Sequence, residues 1–211
     1  ISSLTFAQTE KKVGDFHKVT AFDQITVELI SSDKNKVVLS GINSDEVEVI
    51  NKNGELKLRM PLTNLLKGNQ VKAKVYYIDL DAIEANEGSQ ISNESILKSV
   101  DFDIIAKEGA KINMELEVEK LTVKITSGAI VNTKGIAKNQ DVLVSAGAIY
   151  EGKELITERS VISSNAGSEG VVFATESIDA KARAGSDIVV HGNPRQITKK
   201  TFAGGHIKIV K

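Results

Sequence analysis

A glycine followed by a small residue recurs seven times in this chain, at Gly88-Ser89, Gly109-Ala110, Gly128-Ala129, Gly147-Ala148, Gly167-Ser168, Gly185-Ser186 and Gly204-Gly205. Successive glycines lie 21, 19, 19, 20, 18 and 19 residues apart. A unit of this length cannot bury an apolar face by itself, so it must stack on its neighbours. Three residues after each glycine come Ile91, Ile112, Val131, Tyr150, Gly170, Ile188 and Ile207, a mostly β-branched column broken at Gly170. Inside the units apolar and polar residues alternate, as in Met114-Glu115-Leu116-Glu117-Val118, and no long stretch has the three-and-four spacing of a helix. Turn-forming strings such as Asn132-Thr133-Lys134-Gly135 and Gly192-Asn193-Pro194 fall between the alternating runs.

A parallel β-helix fits this pattern. Each unit makes one coil, and equivalent residues of successive coils stack about 4.8 Å apart. Leucine-rich repeats need a Leu-x-x-Leu-x-Leu run that is missing here, and propeller blades need about twice the length. The small residue after each glycine should form an inward ladder at a tight corner, and the residue two further on an aliphatic ladder. The glycine itself serves either a positive φ or a close approach between coils. Regular coils are expected over 76–211. Residues 15–75 lack the register and read as short strands at Phe16–Phe22, Ile25–Ile30, Lys36–Ser40, Val47–Ile50, Leu56–Met60 and Val71–Tyr76. Asn53-Gly54 marks a hairpin, and Leu62–Gly68 has room for one helical turn. An open solenoid end exposes ladders and strand edges, so this segment is expected to supply irregular first coils and a cap. No Pro-, Ser- or Gly-rich linker interrupts 15–211, which is therefore expected to form one all-β domain.

Composition removes several function classes. Hydrophobic residues at 41% are enough for a real core, which excludes a disordered chain. A net charge of −1 is unlike a dedicated nucleic-acid binder, and the lack of Cys excludes disulfides, a thiol nucleophile and Cys-ligated zinc. No apolar run approaches the length of a membrane-spanning helix. Thr5 and Ala7 stand at −3 and −1 of a cleavage site before Gln8, so residues 1–14 are read as the end of a signal peptide and a leader. Charge is uneven along the chain. The stretch from Tyr76 to Asp103 carries seven acids against Lys98, and the stretch from His191 to Lys211 carries five cations and no acid. A rod with that polarity is expected to be a monomer or to associate weakly end to end.

The Phe16-His17-Lys18-Val19 opening, the Ile25-Thr26-Val27-Glu28-Leu29 strand, Asn53-Gly54-Glu55-Leu56-Lys57-Leu58, the recurring Gly-Ala/Ser-x-Ile/Val strings and the Gly192-Asn193-Pro194 turn resemble one known family. It is the putative auto-transporter adhesin head domain, or GIN domain, and the resemblance covers about 15–211. It implies a right-handed β-helix exported by Gram-negative bacteria to the periplasm or cell surface, and it brings no catalytic residues or cofactor. The Ser-rich corners common in the family are diluted here by Ala129, Ala148 and Gly205.

Few residues suggest chemistry. Asp79-Leu80-Asp81 and Asp101-Phe102-Asp103 are 22 residues apart. With Leu80 and Phe102 turned inward, four stacked carboxylates could hold Ca²⁺. The simpler reading is a solvated acidic face neutralised by Lys120. Ala166-Gly167-Ser168-Glu169-Gly170 has the form of a nucleophile elbow, yet its glycine is in register with the repeat, and the strand-to-helix turn an elbow needs is not expected. The histidines, His17, His191 and His206, are scattered. The reading that follows is a non-enzymatic exported β-helix, an adhesin-like or scaffold domain presenting side-chain ladders to a glycan or a cell-surface protein. The alternative is a β-helical polysaccharide lyase or hydrolase working through Asp79, Asp81, Asp101 and Asp103.

Overall fold

The computed structural model describes residues 9–210 and forms a parallel β-solenoid of about seven turns. The signal-peptide reading at Thr5 and Ala7 falls outside the described residues. Strands β1 (Thr9–Lys12), β2 (Lys18–Ala21), β3 (Thr26–Ser31), β4 (Lys36–Gly41), β5 (Glu48–Lys52), β6 (Glu55–Arg59) and β7 (Val71–Tyr77) build one end. The regular part runs through β8 (Ala82–Ala85), β9 (Gln90–Asn93), β10 (Leu97–Ala106), β11 (Lys111–Ile125), β12 (Ile130–Ser145) and β13 (Ile149–Asn165). It ends with β14 (Glu169–Phe173), β15 (Ser177–Arg183), β16 (Asp187–His191), β17 (Gln196–Phe202) and β18 (His206–Ile209).

The repeat glycines make one corner of each coil, and the turn chemistry explains them. Glu108 and Gly109 both have left-handed φ, 55° and 71°, and the Ala110 N–H donates to the Lys107 carbonyl at 3.1 Å. Two left-handed central residues define a type I′ turn, whose second position suits glycine. The pattern recurs through Ala203-Gly204, and the residue before each glycine is Glu, Ser or Ala, never β-branched. A Cβ on Gly109, Gly128, Gly147, Gly167 or Gly185 would meet nothing within 4 Å, so φ, and not crowding, selects the residue. The turns also stack: the Gly109 N–H donates to the Ser127 carbonyl of the next coil at 3.0 Å, and Gly128 to Ala146 at 3.1 Å.

Both expected ladders are present. Ser89, Ala110, Ala129, Ala148, Ser168 and Ser186 are fully buried, and so are Ile112, Val131 and Tyr150 in the next column. A second corner falls where inward–outward alternation slips by one residue, at Glu119-Lys120, Lys138-Asn139 and Glu158-Arg159. The spacing of 20 between Gly147 and Gly167 has a local cause, because β13 carries one extra residue between the positions facing Asn132 and Lys134. Tyr150 fills the lumen with a hydroxyl that donates to the Gln140 Oε1 at 3.0 Å and accepts from the Thr133 hydroxyl at 2.8 Å. Gln140 in turn donates to Ser160 Oγ at 2.7 Å, and Thr157 and Ser160 both donate to the Phe173 carbonyl. The buried polar groups thus satisfy one another across three coils.

The first strands were expected as a cap, and they close the rod by an unexpected route. Spatial order on one face is β6, β2, β8, β10, and on the other β7, β3, β9, β11. The first coil of the sequence, β2–β3, is therefore the second in space, and the β6–β7 coil lies outside it. Beyond these, β5 pairs antiparallel with β6 through the Asn53-Gly54 hairpin, β4 pairs antiparallel with β7, and β1 pairs antiparallel with β4. The sheet thus takes in Thr9–Lys12, upstream of 15. The buried Asp23 carboxylate accepts from the Met60 and Leu66 N–H groups, both at 2.9 Å, and so holds the crossover loop that contains a single 3-10 turn at Leu62–Asn64. The acidic stretch Tyr76–Asp103 runs from the end of β7 into β10, on coils within the rod and not on its end.

Candidate functional site: a polar groove along the coils

Four residues after each repeat glycine, the side chain points outward on the face that follows the corner. Ser92, Asn113, Asn132 and Glu151 occupy this position on four consecutive coils and pair in strict register. Asn132 Nδ2 donates to Asn113 Oδ1 at 2.7 Å, so the two amides are oriented as a chain. A second column follows at the bend, Glu115, Lys134 and Glu154, with Lys134 Nζ 2.9 Å from Glu115. The Glu115 carboxylate raises the Lys134 pKa above its ordinary value. Asn93 fixes the bend of its neighbour: its Oδ1 accepts from the Glu115 N–H at 2.9 Å, and its Nδ2 donates to the Glu115 carbonyl at 2.8 Å.

Between these columns lies a groove of about 570 Å³, floored by the buried Met114 and Thr133 and walled by amides, carboxylates and the ammonium groups of Lys134 and Lys153. Its four carboxylates, from Glu94, Glu115, Glu151 and Glu154, outnumber its two cations. Amides donate and accept, and carboxylates accept, so the groove can bind a chain of hydroxyl or ammonium groups. Repeat arithmetic contains the signal for it, since the same offset from each glycine gives Ser, Asn, Asn, Glu. The expected ladders of outward side chains are there, but sequence reasoning did not single these residues out.

The acidic strings lie elsewhere. Leu80 and Phe102 point inward as expected, and Asp79, Asp81, Asp101 and Asp103 are all exposed. Asp103 pairs in register with Ala82, and Asp101 with Lys120, so each of these aspartates has a non-acidic neighbour across the ladder. Among the described residues, no three His, Cys, Asp or Glu side chains converge as metal ligands would. Arg59 is paired with Glu48 at 2.8 Å and Arg195 with Glu176 at 3.3 Å, both away from the aspartates in sequence and strand. Ser168 of the elbow-like string is fully buried, and its hydroxyl donates to the Asn165 carbonyl at 2.8 Å in the corner ladder. The three histidines stand on β16, on β18 and just before β2. Among the described residues no helix is long and apolar enough to cross a membrane.

The family model described as "Putative auto-transporter adhesin, head GIN domain" matches residues 15–194. The chain belongs to this family. Solved structures share its fold over nearly their whole length. A protein of Bacteroides fragilis NCTC 9343 described as "a putative adhesin" is 21% identical, with a TM-score of 0.90 over 99% of this chain and 98% of that one. A protein of Parabacteroides distasonis ATCC 8503 described as "Putative lipid binding protein" is 16% identical, with a TM-score of 0.78 over 99% and 98%. A protein of Parabacteroides merdae ATCC 43184, again described as "a putative adhesin", is 13% identical, with a TM-score of 0.78 over 99% and 98%. Among curated proteins, none matches significantly.

Proposed function

We propose that this GIN domain is a non-enzymatic binding rod, exported to the envelope of a Gram-negative bacterium, that grips an extended glycan along its polar groove. The observation that carries this reading is the Ser92–Asn113–Asn132–Glu151 column, which offers one polar side chain per coil at a strand spacing of about 4.8 Å. That rise is close to one sugar residue of an extended chain, so successive sugars meet equivalent groups. The paired amides suit vicinal hydroxyls, and the excess of carboxylates favours neutral or amino sugars over anionic ones. No large exposed apolar side chain lines the groove, which lacks the anchors a protein partner uses. Export and surface location rest on the family's adhesin description.

A glycan array probed with the purified chain tests this. Binding to neutral or amino-sugar polymers is expected, and the Asn113→Ala, Asn132→Ala double variant should weaken it about tenfold or more. Binding that ignores the double variant would move the site off the groove. Release of reducing sugar from a bound polymer, abolished by Asp101→Asn, would replace this reading with an enzymatic one.

A further inference from the structure

Every coil within the rod has a neighbour on each side, and the last described coil has one. β17 pairs in parallel with β15 from Ser177↔Gln196 to Arg183↔Phe202, and β18 pairs with β16 from Asp187↔His206 to Val190↔Ile209. Among the described residues β17 has register pairing with β15 alone and β18 with β16 alone, so the outer side of each is unpaired. Register fixes which side chains line the lumen: Ile178, Ala180 and Ala182 are buried, so Ile197, Lys199 and Thr201 stand in their columns. All of β17 is nonetheless exposed, Ile197 at 47% and Phe202 at 73%. A free row of backbone donors and acceptors beside an uncovered apolar lumen is a template for strand addition.

Lys199 decides what can be added. Its column runs Ile104, Val123, Val142, Ile162, Ala180 through the preceding coils, all buried and apolar. An aliphatic strand laid over β17 would bury its ammonium unpaired, at high cost, whereas a carboxylate in the same column would neutralise it. The same end of a second copy would bring Arg195, Lys199, Lys200 and Lys208 against their equals. The opposite end offers β1 and β5, whose charges are mixed. We propose that the free edge of β17 accepts an extended segment of another protein, with an acidic residue in the Lys199 column and aliphatic residues in the Ile197 and Thr201 columns. That pattern, aliphatic-x-acid-x-aliphatic, reads the same in both directions, so it suits a parallel or an antiparallel strand. Lys199 acts as both gate and key, excluding self-association and admitting an acidic partner.

The test uses a blocked peptide, acetyl-Thr-Val-Thr-Glu-Thr-Val-Thr-amide, titrated into the isotopically labelled chain. Saturable amide shifts confined to β17 and its neighbours are expected, with affinity about tenfold lower for the same peptide carrying Gln in place of Glu. Lys199 is exposed, so Lys199→Glu should fold normally, reject the Glu peptide and bind one carrying Lys at that place. No shift at millimolar peptide, shifts away from the last coil, or indifference to the charge swap each overturn the proposal. Self-association through this edge, seen by light scattering at low salt, would also overturn it, in favour of a second copy as the occupant.

Discussion

The two ends of the rod solve one problem in opposite ways. At the closed end the chain doubles back: the β6–β7 coil covers β2–β3, and antiparallel β4, β1 and β5 cover that. At the other end the last described strands are β17 and β18, and lumen-facing Ile197 and Ile207 meet solvent. An inward Lys199 and a basic surface take the place of a cap there. A solenoid edge is thus blunted by covering it or by charging it, and only the second leaves a surface that a partner can use.

The largest test of this contrast compares one column at two places. Ile112 is fully buried within the rod, and Ile207 is the last, half-covered member of its column. Ile112→Asp should cost about 4 kcal/mol or more, because it buries an unpaired carboxylate between two coils. Ile207→Asp should cost about 1 kcal/mol, because its carboxylate can reach water. Urea unfolding of both variants measures the difference. Equal losses would mean that the last coil is covered in solution.

Backbone strain gives a smaller contrast. Gly135 has φ 108°, and a Cβ there would stand 2.1 Å from the Leu116 carbonyl oxygen of the adjacent coil, so Gly135→Ala should cost about 3 kcal/mol. Gly204 has φ 79° at the open end, and a Cβ there would meet no atom nearer than 3.8 Å, so Gly204→Ala should cost about 1 kcal/mol. A Gly204→Ala variant as damaging as Gly135→Ala would show that the final turn is packed against something.

These two ends were not equally legible. The regular coils could be read because a type I′ turn needs a left-handed pair, and glycine records that need at every repeat. At the closed end the strands themselves were legible: Asn53-Gly54 marked its hairpin, and Lys36–Ser40 alternated as a strand should. Their partners were not legible, because alternation says which side of a strand is buried and nothing about which strand lies beside it. No residue pattern announces that β6 sits outside β2. The groove was legible in principle, through the offset that yields Asn113 and Asn132, but polar outward residues look alike until register sets them side by side. Asp79, Asp81, Asp101 and Asp103 drew attention through a separation of 22 residues, about one coil, but register sets Asp101 beside Lys120 and Asp103 beside Ala82.

Within the closed part of the rod, polar groups can be buried because both neighbours supply partners. Tyr150→Phe removes the hydroxyl that links Thr133 to Gln140 and leaves their oxygens without that partner, which should cost about 1–2 kcal/mol. Thermal unfolding measures it, and a neutral result would mean that a water molecule takes the place of the hydroxyl.

The smallest effect expected is a pH dependence that belongs to the closed end. Lys18 bridges Glu84 at 2.7 Å and Glu55 at 3.1 Å, Lys107 bridges Glu84 at 2.7 Å, and the Thr20 hydroxyl donates to Glu55 at 2.6 Å. These residues tie together the coils of β6, β2, β8 and β10, whose order in space differs from their order in sequence. Partial burial acts to raise the Glu55 pKa, but hydrogen bonds from Thr20, Lys57 and Lys18 outweigh it and hold the carboxyl at about 2. Glu84, under the same opposition of burial and lysine contacts, is also lowered. A folded-state pKa below the unfolded value means that the stabilisation is complete above the unfolded pKa of 4.5 and is lost as pH falls from there to about 2. Solvent screening of this partly exposed network reduces the contribution of Glu55 to about 1 kcal/mol. In urea unfolding, Glu55→Gln should therefore be about 1 kcal/mol less stable than the parent at pH 6, and the two should converge near pH 2. At the open end Arg195 is 79% exposed beside Glu176, and Glu176→Gln should change stability by less than about 0.5 kcal/mol. If Glu176→Gln cost as much as Glu55→Gln at pH 6, the electrostatic asymmetry between the two ends would be wrong, and the basic last coil would be held in place by its own ion pairs.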